Sequence, residues 1–355
     1  MTPRTVSDVR LRADELSGDA TVVIGPLEGY HHETYVFPLP DGTRIVKCRE
    51  PRAHILWFDR RCFVSEEELL RALAGRIARV PEIVDMEGVG LQRFIEGRTL
   101  GASRRLSRRV PEAFFGQIVD LFREMTRITP ADLVSVERRC APEDRAEDRD
   151  SDGFLERLVV FVEEHVYARN AAEFGPLFHA LGVGEDAFTR LRKHVAGLKE
   201  RPFCLLHADL HRENFIVDPQ GLLWTIDWEL AMLGDPLYDL ATHLHLMRYP
   251  ADQELRMTHE WCRAVERVRP GSSYGWEPDL RRILGFKRAQ SVFTDVVRVS
   301  LSLSGRGEPN WFALHGAAGK LQRVLIAAAE PLGLEEVPSR SEITAALVRH
   351  HRDRR

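Results

Sequence analysis

Long apolar runs are missing from this 355-residue sequence. None approaches the roughly 20 residues that a helix needs to cross a bilayer. The first residues, MTPRTVSDVRLRADELSGD, contain no apolar block of signal-peptide length. Cysteine is sparse: Cys48, Cys62, Cys140, Cys204 and Cys262 are scattered, odd in number and never in a C-x-x-C pair. That excludes a disulfide framework and gives no support to a zinc site. Lysine is restricted to Lys47, Lys193, Lys199, Lys287 and Lys320, although Lys and Arg together number 50. With a net charge of −4, no strong field draws the chain to nucleic acid or membrane. A reduced, cytoplasmic protein without nucleic-acid or membrane partners is expected.

The patterning divides the chain into an α+β arrangement of two lobes. Thr21–Ile24, Thr34–Phe37 and Thr43–Cys48 read as strands, with a Gly25–Glu33 loop and a Pro40-Asp41-Gly42 turn between them. From Ser65 the period changes, and Leu69, Leu70, Leu73 and Ile77 recur at helical spacing behind a Ser65/Glu68 capping box. Leu91–Ile95 reads as a further strand, stopped by Gly97. The rest is mainly helical: Phe114, Phe115, Ile118, Leu121, Phe122 and Met125 form one stripe, and Leu155, Leu158, Val159 and Val162 another. The polar stretch 137–153 between them reads as an exposed loop. Further helices follow Pro236, interrupted at Arg269–Ser273. The expected division is 1–96 as a small β-rich lobe and 97–355 as a larger helical lobe.

One stretch carries chemistry. Phe215-Ile216-Val217 and Leu222–Ile226 are short apolar strands, and Asp218-Pro219-Gln220-Gly221 supplies turn residues between them. A hairpin brings its outer ends together, so Asn214 and Asp227 should be neighbours. Magnesium takes hard oxygen ligands and needs only one or two protein side chains beside substrate phosphates. Asp227 offers a carboxylate and Asn214 an amide oxygen. Asp209, five residues before Asn214, stands where it could accept a hydroxyl proton. Phosphoryl transfer asks the protein for positioned phosphates, charge neutralisation and an oriented nucleophile.

The run HADLHRENFIVD, continued by IDWELAMLGDPLYDLA, closely resembles the aminoglycoside phosphotransferase and choline kinase group. Asp-Phe-Gly and Ala-Pro-Glu signatures of eukaryotic protein kinases are lacking. The resemblance implies a bilobal protein-kinase-like fold, Asp209 as catalytic base, and Asn214 and Asp227 as Mg2+ ligands. His207 joins the catalytic set, although loop-shaping hydrogen bonding is its favoured reading over proton transfer. His211 and Arg212 replace the commoner His-Pro-Gly continuation; His211 is assigned to phosphate, with packing as an equal alternative, and Arg212 to the acceptor, with solvent as its alternative. Asp235 and Asp239 are read as caps and anchors of the helix beginning near Pro236.

For a nucleoside triphosphate, ATP or GTP, the resemblance points to Lys47 as the phosphate cation. Its expected partner is Glu66, with Glu67 as the alternative. The Gly25–Glu33 loop takes the place of a phosphate cover, with His31 and His32 near its tip, although it lacks G-x-G-x-x-G. Gln92, Phe94 and Ile95 lie where the purine edge would be met. The segment 49–62, rich in Arg and aromatics, is a candidate lid. Glu229, His245 and Arg248 are candidate acceptor contacts, within a group that also includes His243, Trp261, Trp276, Asp295 and Trp311. The helical half is rich in Arg, with Arg281, Arg282, Arg288 and Arg298. That favours a neutral, zwitterionic or acidic hydroxylated acceptor over a polycation. The expected activity is O-phosphorylation of an antibiotic-like acceptor, in resistance or self-resistance. A metabolic kinase of a choline-like, amino-acid or sugar alcohol is the alternative, and a non-catalytic nucleotide-binding module the third reading.

Overall fold

The computed structural model describes residues 7–27, 32–52, 58, 60–102, 109–303 and 311–353. The N-terminal region comprises α1 (Asp8–Ser17), β1 (His32–Pro38), β2 (Ile45–Pro51), α2 (Glu66–Leu73), β3 (Ile83–Met86) and β4 (Val89–Arg93). Its strands form one antiparallel sheet in the order β1-β2-β4-β3. Helix α1 lays Val9, Ala13 and Leu16 against Phe37, Val46 and Leu91 to make a small separate core. The strand expected at Thr21–Ile24 is instead a 3-10 turn over Ala20–Val22, and only Ile24 pairs, with Val36. The cause is local: Asp19 accepts the Thr21 N–H at 2.8 Å, and a side chain that captures nearby amides competes with strand pairing.

Helix α2 starts where Ser65 accepts the Glu68 N–H at 3.2 Å and ends at Leu73, a turn short of Ile77. Leu69, Leu70, Leu73 and Ile77 are nevertheless all buried, and they belong to the larger core. The connection to the helical region passes Gly97 at φ +156°. A Cβ there would strike the Val217 carbonyl oxygen, so only glycine lets the strand run this close to the catalytic hairpin.

The larger region contains β5 (Arg98–Thr99), α3 (Glu112–Arg127), α4 (Ser151–Phe161), a π-helical turn Val162–Ala168, α5 (Arg169–Ala180), α6 (Ala187–Val195) and β6 (Cys204–Leu206). There follow β7 (Phe215–Val217), β8 (Leu223–Thr225), β9 (Met232–Gly234), α7 (Pro236–Met247), α8 (Ala251–Val268), α9 (Trp276–Leu303), α10 (Trp311–Leu332) and α11 (Arg340–Asp353). Small ladders β5-β7-β8 and β6-β9 sit on this helical mass. A small sheet region and a larger helical region together give the kinase-like α+β fold. The 137–153 stretch is mostly irregular, pinned by an isolated Phe63–Arg138 bridge and by Arg139 N–H to the Cys62 carbonyl at 3.0 Å. Among the described residues no helix is long and apolar enough to cross a membrane.

Candidate active site

The hairpin β7–β8 has the expected register, with Phe215 opposite Thr225. Asp218 fixes its turn by accepting the Gln220 and Leu222 N–H groups at 2.9 and 2.8 Å. At the open end, Ile226 N–H bonds the Asn214 carbonyl at 3.0 Å, so Asp227 emerges beside Asn214. Asp227 adopts the left-handed conformation, φ +66° and ψ +62°, which turns the chain sharply after β8. Strained backbone of this kind gathers at functional sites. Ala208, next to Asp209, shares it at φ +64°.

The loop before the hairpin is held from beneath. Asp239, buried on α7, accepts the N–H groups of His207 and Ala208 at 3.0 and 2.8 Å. Burial pushes its carboxyl up to about 6. It thus anchors the catalytic loop rather than capping the helix. Asp235 does cap, accepting Leu237 N–H at 2.9 Å, while both its oxygens engage the fully buried Arg201. Arg201 also reaches Asp279 at 2.8 Å, so it fastens α7 and α9 to the strand ahead of the loop. The sequence reading missed Arg201; its only signal was an Arg at the edge of an apolar strand.

Asp209 and Asn214 come together as expected. The Asn214 amide donates to the Asp209 carbonyl at 2.9 Å and to its carboxylate at 3.1 Å. His211 reaches the same carboxylate at 3.4 Å through Nε2, and its Nδ1 accepts the Glu213 N–H at 3.1 Å. Although burial opposes it, the Asp209 carboxylate and the nearby acids raise the imidazole pKa. His211 therefore orients Asp209 and caps the 212–214 turn.

His207 takes the loop-shaping role rather than proton transfer. Its ring is fully buried, Nδ1 accepts the Asp209 N–H at 3.3 Å, and Nε2 lies 3.1 Å from the Ile226 carbonyl. Those partners fix the Nε2–H tautomer, and burial keeps the ring neutral by lowering its pKa. Both nitrogens hold backbone, so His207 is a positioning residue.

The charged residues of the small sheet converge on Asp227. Burial, with the adjacent Arg49, pushes Lys47 down to about 8, against the pull of Asp227, Glu67 and Glu229. The Asp227 carboxyl is lowered: burial raises it, but Arg49 and Lys47 outweigh that. Glu66, expected to hold Lys47, pairs with Arg49 instead. Its other oxygen accepts the Trp228 N–H at 2.7 Å, while Gln92 donates at 2.6 Å to the oxygen that pairs with Arg49. Arg49 also reaches Asp227 at 3.4 Å. Arg49 lies two residues from Lys47 on β2, where side chains share a face; that spacing was the available signal. Gln92 is buried and braces Glu66 rather than facing a ligand. Phe94 donates its N–H to the Ile45 carbonyl at 2.8 Å, which removes that amide from purine recognition. Ile95 is buried, and Phe94 and Ile95 line a cleft of 440 Å³ with the hairpin turn.

Glu229 is held by Arg61 at 2.8 Å and by His32 at 3.4 Å. Burial and the neighbouring Asp227 push it up to about 7. His32 thus sits on β1 facing Glu229, not on a loop tip; His31 lies outside the described residues. Of the candidate lid, 53–57 and 59 lie outside them as well, while Phe58 is fully buried in the large core. Arg212 is buried, its Nε 3.4 Å from the Met247 carbonyl, so it braces the end of α7 and does not face an acceptor. His243 is buried and bonded to the Leu210 carbonyl and Tyr249 hydroxyl, each at 2.9 Å. Trp261 is core. His245 and Arg248 line a separate 440 Å³ cleft with Arg288, Asp295 and Lys320, away from the residues around Asp209.

Among solved structures, a thermostable mutant of aminoglycoside phosphotransferase APH(4)-Ia, in ternary complex with ADP and hygromycin B, is similar at 18% identity and TM-score 0.53, over 97% of this chain and 99% of that one. Macrolide 2'-phosphotransferase MphH from Brachybacterium faecium is similar at 15% identity and TM-score 0.53, over 94% and 100%. Choline kinase LicA from Streptococcus pneumoniae is similar at 17% identity and TM-score 0.52, over 91% and 99%. At these identities the likeness establishes the fold. The family model described as "Phosphotransferase enzyme family" matches residues 23–271, a span that runs from the small sheet through the catalytic hairpin to the end of α8. The chain therefore belongs to the phosphotransferase enzyme family and is an enzyme of that class.

Proposed function

We propose that the chain moves the γ-phosphate of ATP to a hydroxyl of a small-molecule acceptor. The observation that carries this reading is the convergence of Asp209, Asn214 and Asp227 at the open end of one hairpin, opposite Lys47 on β2. Asp209, braced by Asn214 and His211, would accept the proton of the attacking hydroxyl. Lys47 would meet the phosphates, and its depressed pKa reflects a cation held in a dry place awaiting an anion. The extended strand would offer the purine the amides of Ile95 and Glu96, which have no partner among the described residues.

The donor set also fits magnesium. Asp227 is ionised, and Asn214 directs its amide nitrogen to Asp209, which leaves its oxygen to the ion. Bound there, magnesium would neutralise phosphate charge. Among the described residues no group of three His, Cys, Asp or Glu could hold a metal. A two-ligand site completed by phosphate oxygens and water is consistent with that.

The neighbours include enzymes named for antibiotics and one named for choline, with nearly equal TM-scores. Fold therefore leaves open an antibiotic acceptor, with a resistance role, and a metabolic alcohol. The test is ADP release from Mg·ATP across hydroxylated antibiotics and metabolites, with ADP binding measured alongside. Acceptor-dependent ADP release is expected. A chain that binds neither ADP nor a non-hydrolysable ATP analogue would sink the reading.

A further inference from the structure

A cleft of about 550 Å³ lies between the segment around Arg60, the 139–144 loop and the α4–π-helix wall. That volume is in the range of small-molecule sites. Five arginines line it, Arg60, Arg61, Arg139, Arg157 and Arg169, against two carboxylates, Asp144 and Glu164. Of these arginines only Arg61 pairs with a carboxylate among the described residues, and that carboxylate is Glu229 of the active site. Arg60 reaches only the Asp144 backbone carbonyl, at 2.5 Å. Arg157 donates Nη1 to the Gly153 carbonyl at 3.0 Å, while its buried Nε has no acceptor.

The cleft adjoins the pocket that holds Glu229. Arg61 and Arg139 also line a second, 280 Å³ pocket together with His32, Arg49, Glu66 and Glu229. The two cavities share those two guanidinium walls. Cys140, on the cleft wall, donates its thiol to the Cys62 carbonyl at 3.9 Å. The π-helical turn Val162–Ala168 supplies Glu164 and His165 to the opposite wall. Such turns widen a helix and are frequent at functional sites.

We infer that this cleft is the acceptor subsite, and that it takes a hydroxylated small molecule bearing an anionic oxyacid group, carboxylate or phosphate. The inference rests on the phosphotransferase reading and names the acceptor class for it. Planar guanidinium forks match carboxylate and phosphate bidentately. Arg61 sits where the anionic end of the acceptor gives way to the hydroxyl end near Glu229. A polycation would face these arginines directly and be repelled.

The test begins with binding. Citrate and glycerol 2-phosphate are titrated into the wild-type chain, R169Q and R157Q/R169Q, with ADP titrated into each as the control. Anion affinity should fall at least tenfold in the double variant and severalfold in R169Q, with ADP affinity unchanged. R169Q changes an exposed side chain, so it keeps the test valid if the double variant folds poorly. No anion binding to wild type, or equal binding to R169Q, overturns the inference. ADP binding lost while anion binding persists would sink the phosphotransferase reading and leave the cleft standing. Turnover then separates the two sources: hydroxy acids such as gluconate and sugar phosphates such as glucose 6-phosphate are compared with glucose and kanamycin. Preference for glucose or kanamycin overturns the acceptor class.

Discussion

Arg49 on β2 and Glu66 at the start of α2 form a buried ion pair that also ties in the Asp227–Trp228 turn. It links sheet, helix and metal-side carboxylate in one network. Lys47, two residues away, is the cation proposed to meet phosphate.

If that network carries structure, R49Q should cost up to about 3–5 kcal/mol, because it leaves the buried Glu66 carboxylate uncompensated, and E66Q less, because Arg49 keeps its contact with Asp227. The double variant should lose much less than the sum. K47A and E66Q should couple more weakly than R49Q and E66Q, as expected of residues joined only through a shared neighbour. Urea unfolding of the two mutant cycles decides the matter. Strong coupling of Glu66 to Lys47, and none to Arg49, would reverse the assignment.

The Asp209 and Asp227 roles separate by readout. D209N should reduce turnover by about 10²–10⁴-fold, the usual cost of losing a positioned base, while binding ADP as before. D227N should lose turnover and, in addition, the tightening of ADP binding by magnesium. Titrations of ADP with and without magnesium, on both variants, check this. Magnesium-dependent tightening that survives in D227N would remove Asp227 from the ligand set.

The catalytic hairpin was legible in the sequence because a short strand, an Asp-Pro-Gln-Gly turn and a second strand leave one way to pair. The Asn214–Asp227 juxtaposition follows from that pairing, and the role of Asp209, on the loop before it, from the family resemblance. The Arg49–Glu66 pair was not legible, since two cations, Lys47 and Arg49, share a strand face and three glutamates begin α2. Choosing among them requires the angle at which α2 meets the sheet, which tertiary packing sets. Gln92 and Arg212 were misplaced for a similar reason. A polar residue beside a motif looks available for a ligand until burial shows which internal partner it serves. The basic cleft was missed because its walls come from residues 60–61, 139–144 and 157–169, none of which forms a motif.

His207 provides a finer test, because its role is positioning. H207N should lower turnover and stability together, through loosening of the Asp209 backbone and the loop around it. The pH dependence of turnover should keep its shape, since a ring held neutral between two backbone groups moves no proton in the reaction. Loss of a limb of the pH–rate profile in H207N, with stability preserved, would restore His207 to the catalytic set.

Acid stability should report two buried histidines. His243 and His245 are each pushed down to about 3, first by burial and then by nearby cations. His243 is held by the Leu210 carbonyl and Tyr249 hydroxyl, which fits a neutral ring with its proton on Nδ1. Both folded values lie below the ordinary histidine value of about 6.5, so unfolding takes up protons. The stability these groups contribute is fully present above about pH 6.5 and is lost as pH falls toward 3. Each should contribute up to about 1.4 kcal/mol per pH unit within that window. Between pH 6.5 and 5 the raised carboxyls of Glu229 and Asp239, at about 7 and about 6, take up protons in the folded chain and offset the histidines. The His243 contribution is therefore read as a difference between the wild-type chain and H243Q in urea unfolding across this interval. H243Q, which cannot take up the proton, should begin lower, and its deficit should shrink as pH falls. A deficit that stays constant from pH 6.5 to 5 would show that His243 is not held neutral in the fold.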